Sequence, residues 1–183
     1  MNGPIIITGA QRSGTTIAAR ILANDLNRTF VDETQFTACD PRQNIVCQVP
    51  TALQTYMIIH HFMFNAHFVF VKREKEDIIA SMKRVQWSKK NVKDWENFLD
   101  SYVDYCIKQW ERLKEDIPAD CWSELPYESL SSHPLFVKSE ERKDFTVKQW
   151  QKDTPVGPRL WDDQLACLKE LLNNERHTFS ASI

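Results

Sequence analysis

The run PIIITGAQRSGTT at positions 4–16 constrains the fold more than any other stretch of the chain. Its apolar start predicts a buried strand over Pro4–Thr8, and Thr15–Leu26 reads as the helix that follows. Between them lies a turn bounded by Gly9 and Gly14. The chain has only four glycines, so two of them framing one turn point to a backbone requirement there. A strand feeding a helix through such a turn is the opening unit of a parallel α/β sheet.

The rest of the chain repeats that alternation. Thr29–Val31 reads as a short second strand that runs into Asp32, Glu33 and Thr34. Cys39–Pro50 reads as loop, with Pro41 and Pro50 as breakers. A helix is predicted over Thr51–Asn65, with Leu53, Tyr56, Met57, Ile59 and His60 as core candidates. His67–Val71 (HFVFV) is a strong strand, followed by a helix over Lys75–Gln86 with Glu76 and Asp77 near its positive end. Asp94–Glu115 is a long amphipathic helix with Phe98, Tyr102, Cys106, Trp110 and Leu113 on one stripe. Cys121–Tyr127 reads as another strand, TPVGP as a break and Trp161–Asn173 as a closing helix. The expected fold is α/β, a three-layer sandwich around a mostly parallel sheet with P-loop-like nucleotide-binding topology, in one domain over 1–183. No repeat or low-complexity tract interrupts it.

A glycine-framed turn between strand and helix aims successive backbone N–H groups inward, and the helix end adds about half a positive charge. Oxyanions bind such places. The candidate set is Gln11, Arg12, Ser13, Gly14, Thr15 and Thr16: three hydroxyl donors, backbone amides and the planar fork of Arg12. The nucleotide-kinase loop, G-x-x-x-x-G-K-[ST], has a lysine after its second glycine. Here Thr15 holds that position and the cation is Arg12, inside the loop.

A second signal follows the HFVFV strand. Arg73 falls just past its end and Ser81 eight residues later on the next helix. Ligands of open parallel sheets collect at the carboxyl ends of the strands, so Arg73 and Ser81 are candidates for a further phosphate of the same nucleotide.

TGAQRSGTT followed by VKREKEDIIASMKR resembles the sulfotransferases that use 3′-phosphoadenosine 5′-phosphosulfate (PAPS). In that family the first motif, PKSGTT or PRSGTT, binds the 5′-phosphosulfate. The second, an R-D-P-x-D-x-x-x-S-like segment, binds the 3′-phosphate through its Arg and Ser, at the spacing of Arg73 and Ser81. The PYESL segment at 126–130 is similar to the family's Y-E-x-L, whose tyrosine reaches the adenine, which makes Tyr127 a candidate. VKQWQKD at 147–153 is a weak match to the family's late tryptophan segment. Two features depart from the pattern. Ile17 stands where some members stack the adenine on tryptophan, and ERKDF, with Arg142 and Lys143, lacks the glycine of the family's R-K-G cluster.

The resemblance implies a reaction. A sulfuryl group carries less charge than a phosphoryl group, so bound cations and backbone donors are expected to suffice without a metal. Arg12 is expected to support the leaving phosphosulfate oxygen, and preorganised donors of that kind contribute about 3–4 kcal/mol each. The acceptor, an alcohol, phenol or amine, needs a base at the carboxyl edge of the sheet. Glu33 meets that condition and matches the base of the E-E-T-like segment in tyrosylprotein sulfotransferases; Asp32 is its competitor. The cytosolic branch uses histidine. Here His60, His61 and His67 fall toward the opposite edge, and His133 and His177 in loop or tail, so all five are read as structural or surface groups.

Composition narrows the partners. A net charge of −2 and pI near 6.2 argue against a general nucleic-acid binder. Lys72–Lys93 holds eight Lys or Arg against three acids, read chiefly as a solvated helix face. Five scattered cysteines (39, 47, 106, 121, 167) fit reduced thiols in a cytoplasmic setting and no metal site. No apolar run approaches the ~20 residues of a membrane span. The acceptor stays open among small molecule, saccharide and peptide, as does the oligomeric state. The alternatives are an ATP-dependent nucleoside or small-molecule kinase and a catalytically silent nucleotide-binding protein of the same fold.

Overall fold

Strand β1 (Ile5–Thr8) is buried along its whole length, as an unbroken apolar run requires when both sheet faces are covered. In the computed structural model, which describes residues 3–33, 35–36, 44–62 and 66–136, β1 is the middle of five parallel strands. The others are β2 (Thr29–Val31), β3 (Ile45–Gln48), β4 (His67–Lys72) and β5 (Trp122–Pro126), in spatial order β2-β3-β1-β4-β5. Ile5 pairs with Val46 on one side and His67 on the other.

Strand β3 corrects the loop expected over Cys39–Pro50. It is four residues, IVCQ, all buried between β1 and β2. A strand enclosed on every side has no polar face, so no alternation marks it, and Pro50 sits two residues beyond its end.

Side chains alternate across the strands and build two cores. On one face Ile6, Cys47, Phe68 and Phe70 pack with α2 (Ala52–Phe62), α3 (Lys75–Arg84) and α4 (Trp95–Asp116). On the other, Ile5, Ile7, Val46, Val69 and Val71 pack with α1 (Thr15–Asp25) and with Leu130 of the 3₁₀ turn Tyr127–Ser132. The described residues thus form an α/β three-layer arrangement.

The long helix α4 begins at Asp94, whose side chain accepts the Asn97 N–H. Its buried residues are Leu99, Val103, Cys106, Trp110 and Leu113. The C-terminal half of the expected stripe is therefore in place. Phe98 and Tyr102 lie beside it, half-buried; Phe98 stacks with Trp87 and the Tyr102 ring packs tilted against it. Trp110 stacks on Phe70 and donates from Nε1 to Glu124 at 2.8 Å. Burying one large apolar side chain contributes about 1.5–3 kcal/mol, so this residue anchors α4 to the sheet. In α2, Leu53, Tyr56 and Ile59 are buried, and the Tyr56 hydroxyl donates to Asp116 of α4. Met57, expected in the core, is exposed.

Of the basic block, Lys75 pairs with Asp100 and Asp104, and Lys83 with Glu96, across α3 and α4. His67 is buried between the Asp120 carbonyl and the Ser123 hydroxyl, a structural setting. Among the described residues no helix is long and apolar enough to cross a membrane. Thr34, Cys39, TPVGP, ERKDF, VKQWQKD, Cys167, His177 and the closing helix over Trp161–Asn173 lie outside the described residues.

Candidate phosphate-binding site

The turn after β1 is built by close approach. Gly9 has φ +150°, and a Cβ there would sit 2.7 Å from Ser13 Oγ and 3.2 Å from the Val71 carbonyl. Arg12 takes φ +70° and Gly14 φ +104°, both in the left-handed region that side chains avoid. Ser13 N–H closes onto the Ala10 carbonyl at 3.0 Å, and α1 then starts with no side-chain cap and no acid in its first turn. Its first N–H groups thus open onto a cleft rather than onto the protein's own oxygens.

That cleft is lined by Gln11, Arg12, Gly14, Thr15, Thr16, Arg73, Ser81 and Tyr127. It is a small cleft, about 70 Å³. Eight of the nine residues proposed from sequence for the nucleotide therefore meet around one space. The ninth, Ser13, is fully buried beneath the loop, its hydroxyl without a hydrogen-bond partner among the described residues.

Arg73 leaves the end of β4 and turns back over the loop. Its Nη1 donates to the Arg12 carbonyl at 3.2 Å, its guanidinium lies 4.3 Å from the centroid of the Tyr127 ring, and its buried Nε has no partner among the described residues. Ser81 is buried on α3. Two guanidiniums, three hydroxyls and a helix N-terminus converge here, a donor set made for oxyanions.

Two residues that hold the site were not singled out for it from sequence. Gln48, at the end of β3, donates from Nε2 to Thr15 Oγ1 at 3.4 Å. This leaves the Thr15 O–H free to donate toward the cleft. Tyr102 accepts the Gln11 N–H on its hydroxyl at 3.2 Å, bracing the loop from α4. The available signals were a polar residue inside a buried run and a polar tip on an apolar stripe.

Glu33 stands just past β2 and does not line the cleft. Loss of hydration around its carboxyl, and then the Asp32 charge, raise its pKa above 4.5. Much of the residue is exposed, which limits the size of that shift. Burial above all, with Cys106 close by, pushes the Tyr102 phenol well above its usual value, and the Glu33 charge adds to this.

No protein-family model matches the sequence, and no curated protein is similar to it. Solved structures are. A sulfotransferase domain from the curacin biosynthetic pathway is similar at TM-score 0.56 and 12% identity, over 87% of this chain and 77% of that one. A shikimate kinase from Acinetobacter baumannii, in complex with shikimate, is similar at TM-score 0.50 and 13% identity, over 94% of each chain. At such identities the likeness establishes the fold alone, one that a sulfotransferase domain and a shikimate kinase share.

Proposed function

We propose that the chain is a sulfotransferase that moves the sulfuryl group of PAPS to a hydroxyl or amine acceptor. The observation that carries this reading is that Arg73 and Ser81 line the same cleft as the glycine loop. A nucleotide with phosphate groups at both its 5′ and 3′ ends needs two anion sites in one cleft, and PAPS is such a nucleotide.

The residues present fit that donor. The uncapped start of α1, with Thr15, Thr16 and Arg12, would hold the 5′-phosphosulfate; Arg73 and Ser81 would hold the 3′-phosphate. PAPS supplies an activated sulfur whose bond to the bridging phosphate oxygen breaks as the acceptor oxygen or nitrogen bonds to it. Arg12 stabilises the negative charge gathering on that bridging oxygen, and Glu33 takes the acceptor's proton. The product is 3′,5′-adenosine bisphosphate. The acceptor is a small molecule, saccharide or peptide.

The likeness to shikimate kinase supports a second reading, a P-loop kinase using ATP. Such enzymes neutralise phosphate with a loop lysine and a metal ion held by the loop Ser/Thr and a strand-end Asp. Here Thr15 stands at the lysine position. The strands flanking β1 end in Gln48 and in Lys72, with Arg73 next in the chain, which supports the sulfotransferase instead.

Calorimetric titration of wild type and Arg73→Ala with 3′,5′-adenosine bisphosphate, ADP, and ATP with magnesium separates the two. The sulfotransferase reading expects tight, magnesium-independent bisphosphate binding that Arg73→Ala abolishes. Preference for ATP with magnesium, or indifference to Arg73→Ala, refutes it. Turnover of PAPS with candidate acceptors, lost in Glu33→Gln, then tests the base.

A further inference from the structure

We infer that Tyr127 is a positioning residue that holds the Arg73 guanidinium aimed into the cleft, and so sets the preference for a 3′-phosphorylated nucleotide. This rests on the sulfotransferase reading above and goes beyond any contact of Tyr127 with the base.

Arginine is a long chain with many rotamers, and its value as a phosphate fork depends on holding it in one of them. Nothing in the sequence around Arg73 provides that; the next four residues are Glu74, Lys75, Glu76 and Asp77. The structure provides it from the 3₁₀ turn that follows β5. The Tyr127 ring lies 4.3 Å from Arg73 Cζ, well inside the distance at which a guanidinium is attracted to an aromatic face. Arg73 Cζ lies over the face of the ring, and no hydrogen bond joins the two side chains among the described residues. The ring therefore fixes the fork without consuming a donor. One in-plane donor, on Nη1, holds the Arg12 carbonyl, and the buried Nε has no partner among the described residues.

Tyr127 can act as a fixed wall because it is itself held on other sides. It opens the 3₁₀ turn Tyr127–Ser132 directly after Pro126, and its ring packs edge-to-face with Phe136 at 5.7 Å. It also presses on Gly14, where a Cβ would lie 2.4 Å from two ring carbons. One side chain thus links the glycine loop, the end of β4 and the end of β5. It sets the spacing between the anion site at α1 and the one at Arg73, and that spacing is what distinguishes a bisphosphorylated nucleotide from a monophosphorylated one.

The test measures affinities for 3′,5′-adenosine bisphosphate and for adenosine 5′-monophosphate, and their ratio, by calorimetry. Wild type is expected to prefer the bisphosphate, and Arg73→Ala to abolish the preference. Tyr127→Leu should lower the ratio roughly 2- to 30-fold, the range of one cation–π contact. Tyr127→Gln, planar but without a ring, should do the same, while Tyr127→Phe should keep the wild-type ratio. In the Arg73→Ala background Tyr127→Leu should leave the ratio unchanged. A wild-type ratio in both Tyr127→Leu and Tyr127→Gln, whatever happens to the two affinities together, overturns the inference and assigns Tyr127 to the base. A Tyr127→Phe ratio as low as that of Tyr127→Leu also overturns it, since the hydroxyl would then be the determinant. A wild type without bisphosphate preference refutes the sulfotransferase reading, and the inference with it.

Discussion

Replacing Gly14 by alanine should be among the most damaging single changes on the loop, and its cost has two separable parts. The backbone there sits at φ +104°. A non-glycine residue held in such a region costs about 1–3 kcal/mol. The new Cβ would also lie 2.4 Å from two ring carbons of Tyr127, whereas carbon atoms in good contact stand about 3.5–4.0 Å apart. The ring must therefore retreat by about 1 Å or more, at an overpacking cost of about 1–3 kcal/mol. Together the substitution should destabilise the fold by about 2–6 kcal/mol. In a Tyr127→Ala background only the backbone part should remain. Urea unfolding of the four proteins measures both parts, the coupling being the difference between the two Gly14→Ala effects. A coupling near zero would show that the ring is no obstacle. A wild-type effect below about 0.5 kcal/mol, the scale of an ordinary surface substitution, would refute the backbone argument as well.

Three further outcomes are expected. With Glu33 as base, sulfuryl transfer should fall as pH drops through its pKa, with the midpoint of that limb above 4.5. Asp32→Asn removes a like charge and should move the limb to lower pH, whereas an unmoved limb assigns the base elsewhere. Tyr102→Phe deprives the part-buried Gln11 N–H of its acceptor and should cost about 1–3 kcal/mol in urea unfolding; no loss would mean that the amide finds another partner. The Trp110 N–H first, and then Lys114, hold the Glu124 carboxyl below 4.5. A carboxyl lowered by folding contributes stability above its unfolded pKa that is lost as pH falls through the folded one. The drop in unfolding midpoint between about pH 6 and about pH 3 should therefore be smaller in Glu124→Gln.

Much of the cleft was legible because its residues sit at strand ends, and strand ends can be read. The apolar runs before Gly9 and before Arg73 are long enough to mark β1 and β4, and a parallel sheet brings their carboxyl ends together. Ser81 followed from its place eight residues after Arg73 on the next helix. The missed pieces share a physical cause. Strand β3 is buried on all sides, so its composition carries no alternation, and its Gln48 looked like a loop residue. Tyr102 belongs to a helix whose buried stripe runs Leu99–Val103–Cys106 rather than Phe98–Tyr102–Cys106. Those two registers differ by one residue, a rotation of about 100°, and the aromatic content of the sequence favours the wrong one. Tertiary contact with Gln11 then makes a flanking tyrosine part of the site, which no local pattern encodes.

The position of the cation matters more than the shape of the loop. Backbone amides and the end of α1 attract any oxyanion alike, and a sulfotransferase domain and a shikimate kinase share the architecture that places them. Discrimination must come from side chains, because only they differ in charge and reach. A lysine at position 15 would stand in the first turn of α1 as a mobile point charge. Arg12 instead sits within the turn itself, at φ +70°, with its carbonyl held by Arg73. The second cation thus braces the backbone of the first, so neither guanidinium is placed independently. A ligand with two anionic groups can engage both guanidiniums, whereas one with a single such group engages only one. That coupling, rather than the glycine motif alone, is what supports the proposal of a nucleotide charged at both ends.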